Sequence, residues 1–194
     1  MRYLTILLLG AFFMTGCKNT KTEDMKAKKQ LMYQIDSVDK QTGVQRMKSW
    51  LVEQEIVAGT KHYQLYINRI PSDSLPLVKS DMGTFSDNVI IVTITRQDHS
   101  RLFSKTFVKR DFSSFLSDNY LNKTILEGVV FDVEKTEKAN GNIILAASVS
   151  YPGSDLYIPF SVTITPFGKM SIDKDEDAVD IPVTVVDSVE SSED

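Results

Sequence analysis

The chain has one cysteine, Cys17, and two histidines among its 194 residues. A single cysteine excludes an internal disulfide, so the hydrophobic core has to hold the fold. Glycine-rich phosphate loops and paired-cysteine motifs are missing as well. His62 and His99 are too far apart in sequence to form a recognisable zinc motif. The sequence therefore predicts no catalytic residue, no metal ligand and no cofactor.

The chain also lacks an excess of positive charge. Its formal net charge is −4, with 42% hydrophobic and 25% charged residues, which is typical of an ordinary globular protein. A mildly acidic chain gives no reason to expect nucleic acid as a partner. No repeat of fixed period is present, so the sequence favours one domain over an array of repeats.

The N-terminal segment is the only long hydrophobic run. Arg2 precedes an apolar stretch at residues 4–14, and the small residues Thr15 and Gly16 stand directly before Cys17. The run is too short to cross a bilayer and is typical of a secretory signal. The small residue before a lone cysteine resembles the lipobox of bacterial lipoproteins. That resemblance implies lipid attachment at Cys17, including palmitate, and cleavage after Gly16.

Lipid at Cys17 would make the membrane a partner and would place the protein in the bacterial cell envelope, since several acyl chains anchor a protein stably. Lys18 and Asn19 follow the cysteine without an acidic residue. An acidic residue there retains lipoproteins in the inner membrane of enteric bacteria, so its absence favours the outer membrane. The sequence leaves open whether the protein faces the periplasm or the exterior.

Composition divides the chain into four segments. Residues 1–16 form the signal peptide, residues 17–43 the lipidated cysteine and a tether, residues 44–175 a single β-rich domain, and residues 176–194 an acidic, disordered tail. Within the domain, residues 71–87 include two prolines and show little periodicity. Loops of that length are uncommon in compact domains, which makes this stretch the preferred place for a binding surface.

Alternation of apolar and polar residues predicts a mainly β, or α+β, fold. Residues 44–57 and 63–70 form one hairpin, residues 88–96 a central strand covered on both faces, and residues 101–109 its neighbour. Asp111 caps a short helix that buries three apolar side chains: Phe112, Phe115 and Leu116. This helix is the only one expected, after the third strand.

The second half of the domain predicts an antiparallel meander. Strands at residues 125–133, 143–151, 156–164 and 169–172 are separated by turn signals. Asn140 and Gly141 indicate a tight hairpin turn, since both central residues of a type I′ turn need positive φ. Pro159 has no N–H group, so its strand should lie at an edge or contain a bulge. The whole predicts a curved or barrel-like sheet with one short helix.

Several short runs resemble one family. They are Asp87-Asn88-Val89-Ile90, Ile94-Thr95-Arg96, residues 103–109, Asp111-Phe112, residues 125–128 and residues 148–152. They are similar to Bacteroidetes lipoproteins that carry the domain of unknown function numbered 4738. The resemblance covers roughly residues 44–175 and implies an envelope lipoprotein of that lineage. It implies no activity, because none of these runs is a catalytic motif.

The same lineage implies possible modification sites, since Bacteroidetes O-glycosylate exported proteins at Asp-Ser or Asp-Thr followed by a small apolar residue. Three triplets match, with acceptor residues Ser37, Ser74 and Ser188. They fall in the predicted tether, loop and tail, where a bulky glycan can remain in solvent. The competing interpretation is that Asp-Ser pairs simply favour turns.

Three other clusters are better explained without a catalytic or ligand-binding role. Asp98, His99 and Ser100 have the residue types of a hydrolase triad, but consecutive turn residues cannot form the relay. The acidic run at residues 173–177 resembles the start of a calcium loop, yet Ala178 and Thr184 occupy its glycine and glutamate positions. A basic cluster protects a sheet edge rather than binding an anion: Arg96, Arg101, Lys105, Lys109 and Arg110.

The sequence therefore favours a lipid-anchored module that works by binding or structural interaction with an unidentified protein or glycan. One alternative is an envelope enzyme that hydrolyses glycans through two carboxylates such as Glu127 and Asp132. Those two lie on opposite faces of one predicted strand, which argues against cooperation. Another alternative is an inhibitor or chaperone-like module that uses a sheet face. Converging titratable groups in a cleft would favour the enzyme.

Overall fold

The computed structural model describes residues 35–176, so Cys17, Ser188 and the predicted signal peptide lie outside the described residues. The described part is mainly β. Its strands are β1 (Ile35–Val38), β2 (Val44–Met47), β3 (Trp50–Ala58), β4 (Lys61–Pro71), β5 (Val78–Ser80), β6 (Gly83–Phe85), β7 (Asn88–Arg96), β8 (Arg101–Phe107), β9 (Ile125–Phe131), β10 (Ile143–Ser150), β11 (Tyr157–Ile164) and β12 (Met170–Lys174). A 3-10 helix (Lys109–Phe115) and two α-helices, α1 (Asp118–Lys123) and α2 (Val133–Lys138), complete it.

Two four-stranded sheets pack face to face as a sandwich. The first sheet has the order β3-β4-β7-β8, the second β12-β11-β10-β9, and every neighbouring pair in both is antiparallel. Alternate apolar side chains of both sheets fill one core, among them Leu65, Val92, Leu145 and Val162. Burying each such side chain stabilises the fold by about 1.5–3 kcal/mol. The predicted mainly β, antiparallel fold is confirmed, and the sheets of the described residues are open rather than closed into a barrel.

The predicted hairpin is present at the edge of the first sheet as β3 and β4, but residues 44–47 of its predicted first strand form β2 in a different sheet. β3 and β4 pair continuously from Trp50 opposite Arg69 to Ala58 opposite Lys61. β7 lies between β4 and β8, as the sequence predicts for a central strand. Its inward residues are buried, whereas outward residues such as Ile91 are only half-buried. The prediction that β7 is covered on both faces is therefore wrong for its outward face.

A third, small sheet corrects two sequence predictions. Its order is β1-β2-β6-β5, with β2 and β6 parallel. β5 and β6 form a hairpin inside residues 71–87, which the sequence predicts to be a loop. Three-residue strands are too short to show a period, but Val78 and Phe85 pack with Met47 and Ile125 in a second core. β1 also lies within the predicted tether, so strand structure begins before residue 44.

The helices differ in number and position from the prediction of one helix after the third strand. The 3-10 helix follows β8, and α1 and α2 are additional. The predicted contacts of the 3-10 helix are confirmed, because Phe112 is buried in the core while Phe115 and Leu116 pack against that core. Asp111 stabilises this helix from inside its first turn, where its Oδ2 accepts the Val108 N–H at 2.8 Å.

The turn at Asn140 and Gly141 has the predicted backbone but a different connection. Both residues have positive φ, 51° and 88°, and the Asn142 N–H donates to the Ala139 carbonyl at 3.1 Å. The segment before the turn is α2 rather than the end of a strand, since β9 stops at Phe131. Asp132 accounts for this, because its carboxylate accepts the Lys135 N–H at 2.8 Å and caps the helix.

Pro159 lies in an inner strand, contrary to the prediction of an edge or a bulge. β11 pairs with both β10 and β12, and Pro159 stands opposite Ser148 of β10. The Pro159 carbonyl accepts the Asp175 N–H at 3.0 Å, so Pro159 turns its carbonyl and its nitrogen toward the β12 side. Asp175 directly follows Lys174, which forms the last β11–β12 pair with Phe160. The β10 ladder therefore loses no hydrogen bond to the proline.

Candidate binding groove

A groove of about 520 Å³ lies between the segment that enters β5 and the two helices that follow β8. It is lined by Leu75, Pro76, Leu77, Val78, Asp87, Val108, Lys109, Arg110, Ser113, Asp118, Leu121 and Asn122. One wall comes from residues 75–78, inside the stretch that the sequence marks as the preferred binding surface. The opposite wall comes from the 3-10 helix and α1, and α1 was not predicted.

Half of the residues that line the groove are apolar. Leu75, Leu77 and Val78 form one side, and Leu121 of α1 lies on the other. Val78 is buried in the small core, whereas 48% of Leu77 is exposed. An exposed leucine in a concave apolar surface costs free energy in water, and a ligand that covers it recovers that cost.

The rim of the groove has separated charges. Arg110 and Asp118 are both exposed, and neither forms an ion pair within residues 35–176. Ser113 and Asn122 add groups that can donate and accept hydrogen bonds. The rim therefore suits a partner with both polar and charged groups rather than a uniformly charged polymer.

The floor of the groove is closed by a buried ion pair. Lys109 Nζ lies 3.2 Å from Asp87 Oδ2 and also donates to the Thr124 carbonyl. Asp87 Oδ1 accepts the N–H groups of Asn88 and Leu126, each at 2.9 Å. Since Asp87 is 4% exposed and both its oxygens have partners, it is a structural group.

Two more buried polar side chains join the sheets beside this floor. Asn88 Nδ2 donates to the Leu126 carbonyl at 2.9 Å and approaches Met47 Sδ at 3.2 Å. Arg69, which is 5% exposed, donates to the carbonyls of Glu127 at 2.7 Å and Lys48 at 3.1 Å. Burial lowers the pKa of Arg69, and the charge of Glu127 opposes that shift.

The structure separates the carboxylates of the enzyme alternative. Glu127, 5% exposed, occupies the bulge where β9 and β10 change register, and its Oε2 lies 3.3 Å from Ser148 Oγ. Asp132 is engaged as the cap of α2. Neither residue lines the groove described above.

The other sequence-marked clusters have local partners. Asp98 Oδ1 accepts the Ser100 N–H at 2.9 Å, and hydrogen bonds from Ser100 lower the pKa of Asp98. His62 Nδ1 lies 2.6 Å from Glu55 Oε1 on the exposed face of the first hairpin. Asp175, from the acidic run at residues 173–177, is buried against Lys135. Among residues 35–176 no group of three His, Cys, Asp or Glu residues could hold a metal ion.

The basic cluster divides into separate roles. Lys105 pairs with Asp111 at 2.7 Å and Lys109 with Asp87, so two of its charges are neutralised. Arg96 donates to Ser100 Oγ and to the Arg101 carbonyl at the end of the hairpin, far along the strands from the groove. Only Lys109 and Arg110 line the groove.

The predicted modification sites that are described lie at the surface. Ser37 is exposed in β1, and Ser74 is exposed with its Oγ 2.8 Å from Ser72 Oγ. Ser188 and the predicted lipid-attachment residue Cys17 lie outside the described residues. The three helices among residues 35–176 are each too short to traverse a bilayer.

The model of a family described as a domain of unknown function, DUF4738, matches residues 24–172. The chain belongs to this family. No curated protein matches it. The DUF4738 match begins before β1, covers the groove and ends within β12, the last strand of the sandwich.

Sequence reasoning missed the wall formed by α1, although one signal for it is present. Ser117 precedes the helix, and its side chain accepts the Tyr120 N–H at 3.3 Å as an N-terminal cap. Serine before a run that begins with Asp118 is a typical start of a helix. The helix has only six residues, which is too few for an apolar period to be recognised.

Proposed function

We propose that this DUF4738 protein is a lipid-anchored binding module of the bacterial cell envelope, which holds a segment of a partner protein in the groove beside α1. The groove carries the proposal, since it joins an exposed apolar wall to a rim with both signs of charge. The lipid attached to Cys17 would keep the domain close to its membrane. The activity would be non-covalent capture, without a chemical step.

The placement in the envelope is supported by the N-terminal sequence. The hydrophobic run at residues 4–14 and the small residues before Cys17 have the order of a lipoprotein signal. The similarity of the runs around Asp87 and Phe103 to Bacteroidetes lipoproteins supports the same placement and that lineage. The lack of an acidic residue at positions 18 and 19 supports the outer membrane.

The groove supports binding of protein rather than a small polar ligand. A leucine that is 48% exposed, next to Pro76 and across from Leu121, suits an apolar side chain of a partner. Arg110 and Asp118 can each pair with an opposite charge of that partner. The only ion pair within the groove, Lys109 with Asp87, is buried and already satisfied.

The lipid is tested by Cys17→Ser in cells fed labelled palmitate. The parent protein should incorporate the label and stay with the membrane fraction, whereas Cys17→Ser should lose the label and leave the membranes. Thr15→Ser, which keeps a small residue before the cleavage site, is the matched control. An unlabelled parent protein would remove the anchor from the proposal.

The groove is tested by site-specific photo-crosslinking in native cells. A photoreactive residue in place of Leu77 should give discrete adducts that disappear when Leu121→Asp is added. The matched control is the same residue in place of Leu51, which is 56% exposed on the edge strand of the first sheet. Equal adducts from both positions, or none from Leu77, would refute the groove as the binding surface.

A further inference from the structure

Four turns meet at the end of the sandwich opposite the small sheet. We call this the distal end: residues 59–60, 97–100, 140–141 and 165–169. A methyl group built on Gly59 would lie 3.3 Å from Gly141 Cα, and one on Gly141 would lie 4.0 Å from Pro166 Cγ. One built on Gly168 would lie 2.4 Å from the Leu102 carbonyl oxygen. The turns at Gly59, Gly141 and Pro166 are thus in contact, and Gly168 contacts β8 just after the turn at residues 97–100.

Phe167 projects from this surface. It is 87% exposed, more than any other large hydrophobic side chain described. It occupies the turn between β11 and β12, where the Gly168 N–H donates to the Thr165 carbonyl at 2.9 Å. The turn is therefore hydrogen-bonded while its aromatic side chain remains in solvent.

Within the described residues, three cations without an ion-pair partner lie on or beside the turns of the distal end. Lys61, Arg101 and Lys169 are exposed, and none of them forms an ion pair within residues 35–176. Two acidic side chains lie on or beside these turns: Asp98, which accepts the Ser100 N–H at 2.9 Å, and the exposed Glu137 of α2, so the cations are in excess. The distal end is therefore positive, although the formal net charge of the whole chain is −4.

We propose that the distal end binds the surface of an anionic phospholipid bilayer. Phe167 would enter the interfacial layer, where aromatic rings are favoured, and the cations at positions 61, 101 and 169 would bind headgroup phosphates. A protein partner is disfavoured, since docking surfaces are usually apolar patches of several hundred Å², whereas here a single aromatic projects among charges. This proposal is independent of the groove.

The site lies far from the strand that leads to Cys17. β4 runs from Lys61 at the distal end to Pro71 beside the small sheet, and its 11 residues span about 35 Å. β1 belongs to that small sheet. A chain held by lipid at Cys17 would therefore present the distal end to a second membrane surface, or reach back through residues 17–34.

The test uses the full chain with Phe167→Trp combined with Trp50→Phe, so that one tryptophan reports from the distal end. Vesicles of phosphatidylcholine, with or without about one-quarter phosphatidylglycerol, contain brominated lipid as a quencher. The matched reporter is Leu156→Trp in the same background, because Leu156 is 57% exposed at the opposite end of the sandwich. Both reporters share the N-terminus, and Leu156 lies at the end of the sandwich that carries β1, so vesicle binding through residues 1–34 would not favour quenching at position 167.

Quenching and a blue shift are expected at position 167 on the anionic vesicles, and not at position 156. Adding Lys61→Gln, Arg101→Gln and Lys169→Gln should weaken binding at position 167 about a hundredfold, since each cation contributes about fivefold. The proposal is overturned if position 167 is not quenched, if it is quenched equally on phosphatidylcholine alone, or if the three substitutions have no effect. A blue shift that grows with protein concentration without vesicles would identify a second copy as the occupant, and would also overturn it.

Discussion

The carboxylate of Asp87 binds the backbone N–H of Leu126, 39 residues away, at 2.9 Å. The same oxygen accepts the Asn88 N–H, and the other oxygen pairs with Lys109. One side chain therefore connects the strand after the small sheet, the first strand of the second sheet and the 3-10 helix. Asp87 therefore has a structural role.

The substitution Asp87→Asn should lower the free energy of unfolding by about 2–4 kcal/mol, because the buried Lys109 loses its counter-charge and one N–H acceptor is weakened. Urea unfolding measures the effect. Asp73→Asn is the control, since Asp73 pairs with Arg46 at 2.6 Å but is 77% exposed. Its cost should remain below about 1 kcal/mol. Similar losses for both variants would contradict the structural role of Asp87.

The substitution Arg69→Lys should be far from conservative. The guanidinium reaches two carbonyls on different segments, those of Glu127 and Lys48, and one ammonium cannot reproduce that fork. We expect a loss of about 2–3 kcal/mol in the free energy of unfolding. Arg101→Lys, at an exposed position, should change it by less than about 0.5 kcal/mol. If Arg69→Lys left the free energy of unfolding unchanged, a single hydrogen bond would be sufficient at this position.

Tyr120 should make the protein less stable in alkali. Burial, Tyr151 and Glu127 raise the pKa of Tyr120 in the folded state above its ordinary value of 10.0. Above pH 10 the unfolded chain releases a proton that the folded chain retains, so the free energy of unfolding falls as the pH rises. Denaturant titrations at several pH values should show this decline.

The Tyr120→Phe variant separates that effect from packing. It should cost about 1 kcal/mol at neutral pH, because the hydroxyl donates to the Val149 carbonyl at 3.1 Å. Its alkaline decline should be shallower than that of the parent protein, whereas Tyr157→Phe, at an exposed position, should keep the parent's decline. An unchanged slope in Tyr120→Phe would assign the decline to other groups.

Two glycines with positive φ should respond differently to alanine. Gly168 has φ 79°, and a methyl group there would meet the Leu102 carbonyl oxygen at 2.4 Å. Gly43 has φ 70° and no atom within 4 Å of the same position. Gly168→Ala should therefore cost about 2–4 kcal/mol and Gly43→Ala about 1 kcal/mol, measured by thermal unfolding. Equal costs would show that the distal turns are not in close contact.

The long strands could be predicted because each keeps its alternation over many residues. β4 and β7 bury alternate side chains for eight residues or more, and β11 does so over its last five, so the pattern exceeds chance. Asn140 and Gly141 were predicted to adopt positive φ because few other residues do so easily. The burial of Phe112 could be predicted because Phe112, Phe115 and Leu116 have the spacing of one helix face.

The groove could not be predicted as a site, because its walls come from short elements. β5 has three residues and packs through Val78 against the distant Met47 and Ile125. α1 has six residues, and its Tyr120 hydroxyl donates to the distant Val149 carbonyl. The apparent conflict at Pro159 has a similar origin. Which neighbouring strand a proline nitrogen faces depends on register, and a single sequence does not specify register between distant strands.

Within residues 35–176, β1, the strand nearest in sequence to the predicted lipid, pairs only with β2, at the edge of the small sheet. A force applied through the N-terminus would therefore peel β1 away before it reached the sandwich. Peeling would release residues 35–43 and add about 30 Å of slack. β1 would therefore detach from β2 first. Thermal motion of a bilayer would extend this short hairpin and leave the groove intact.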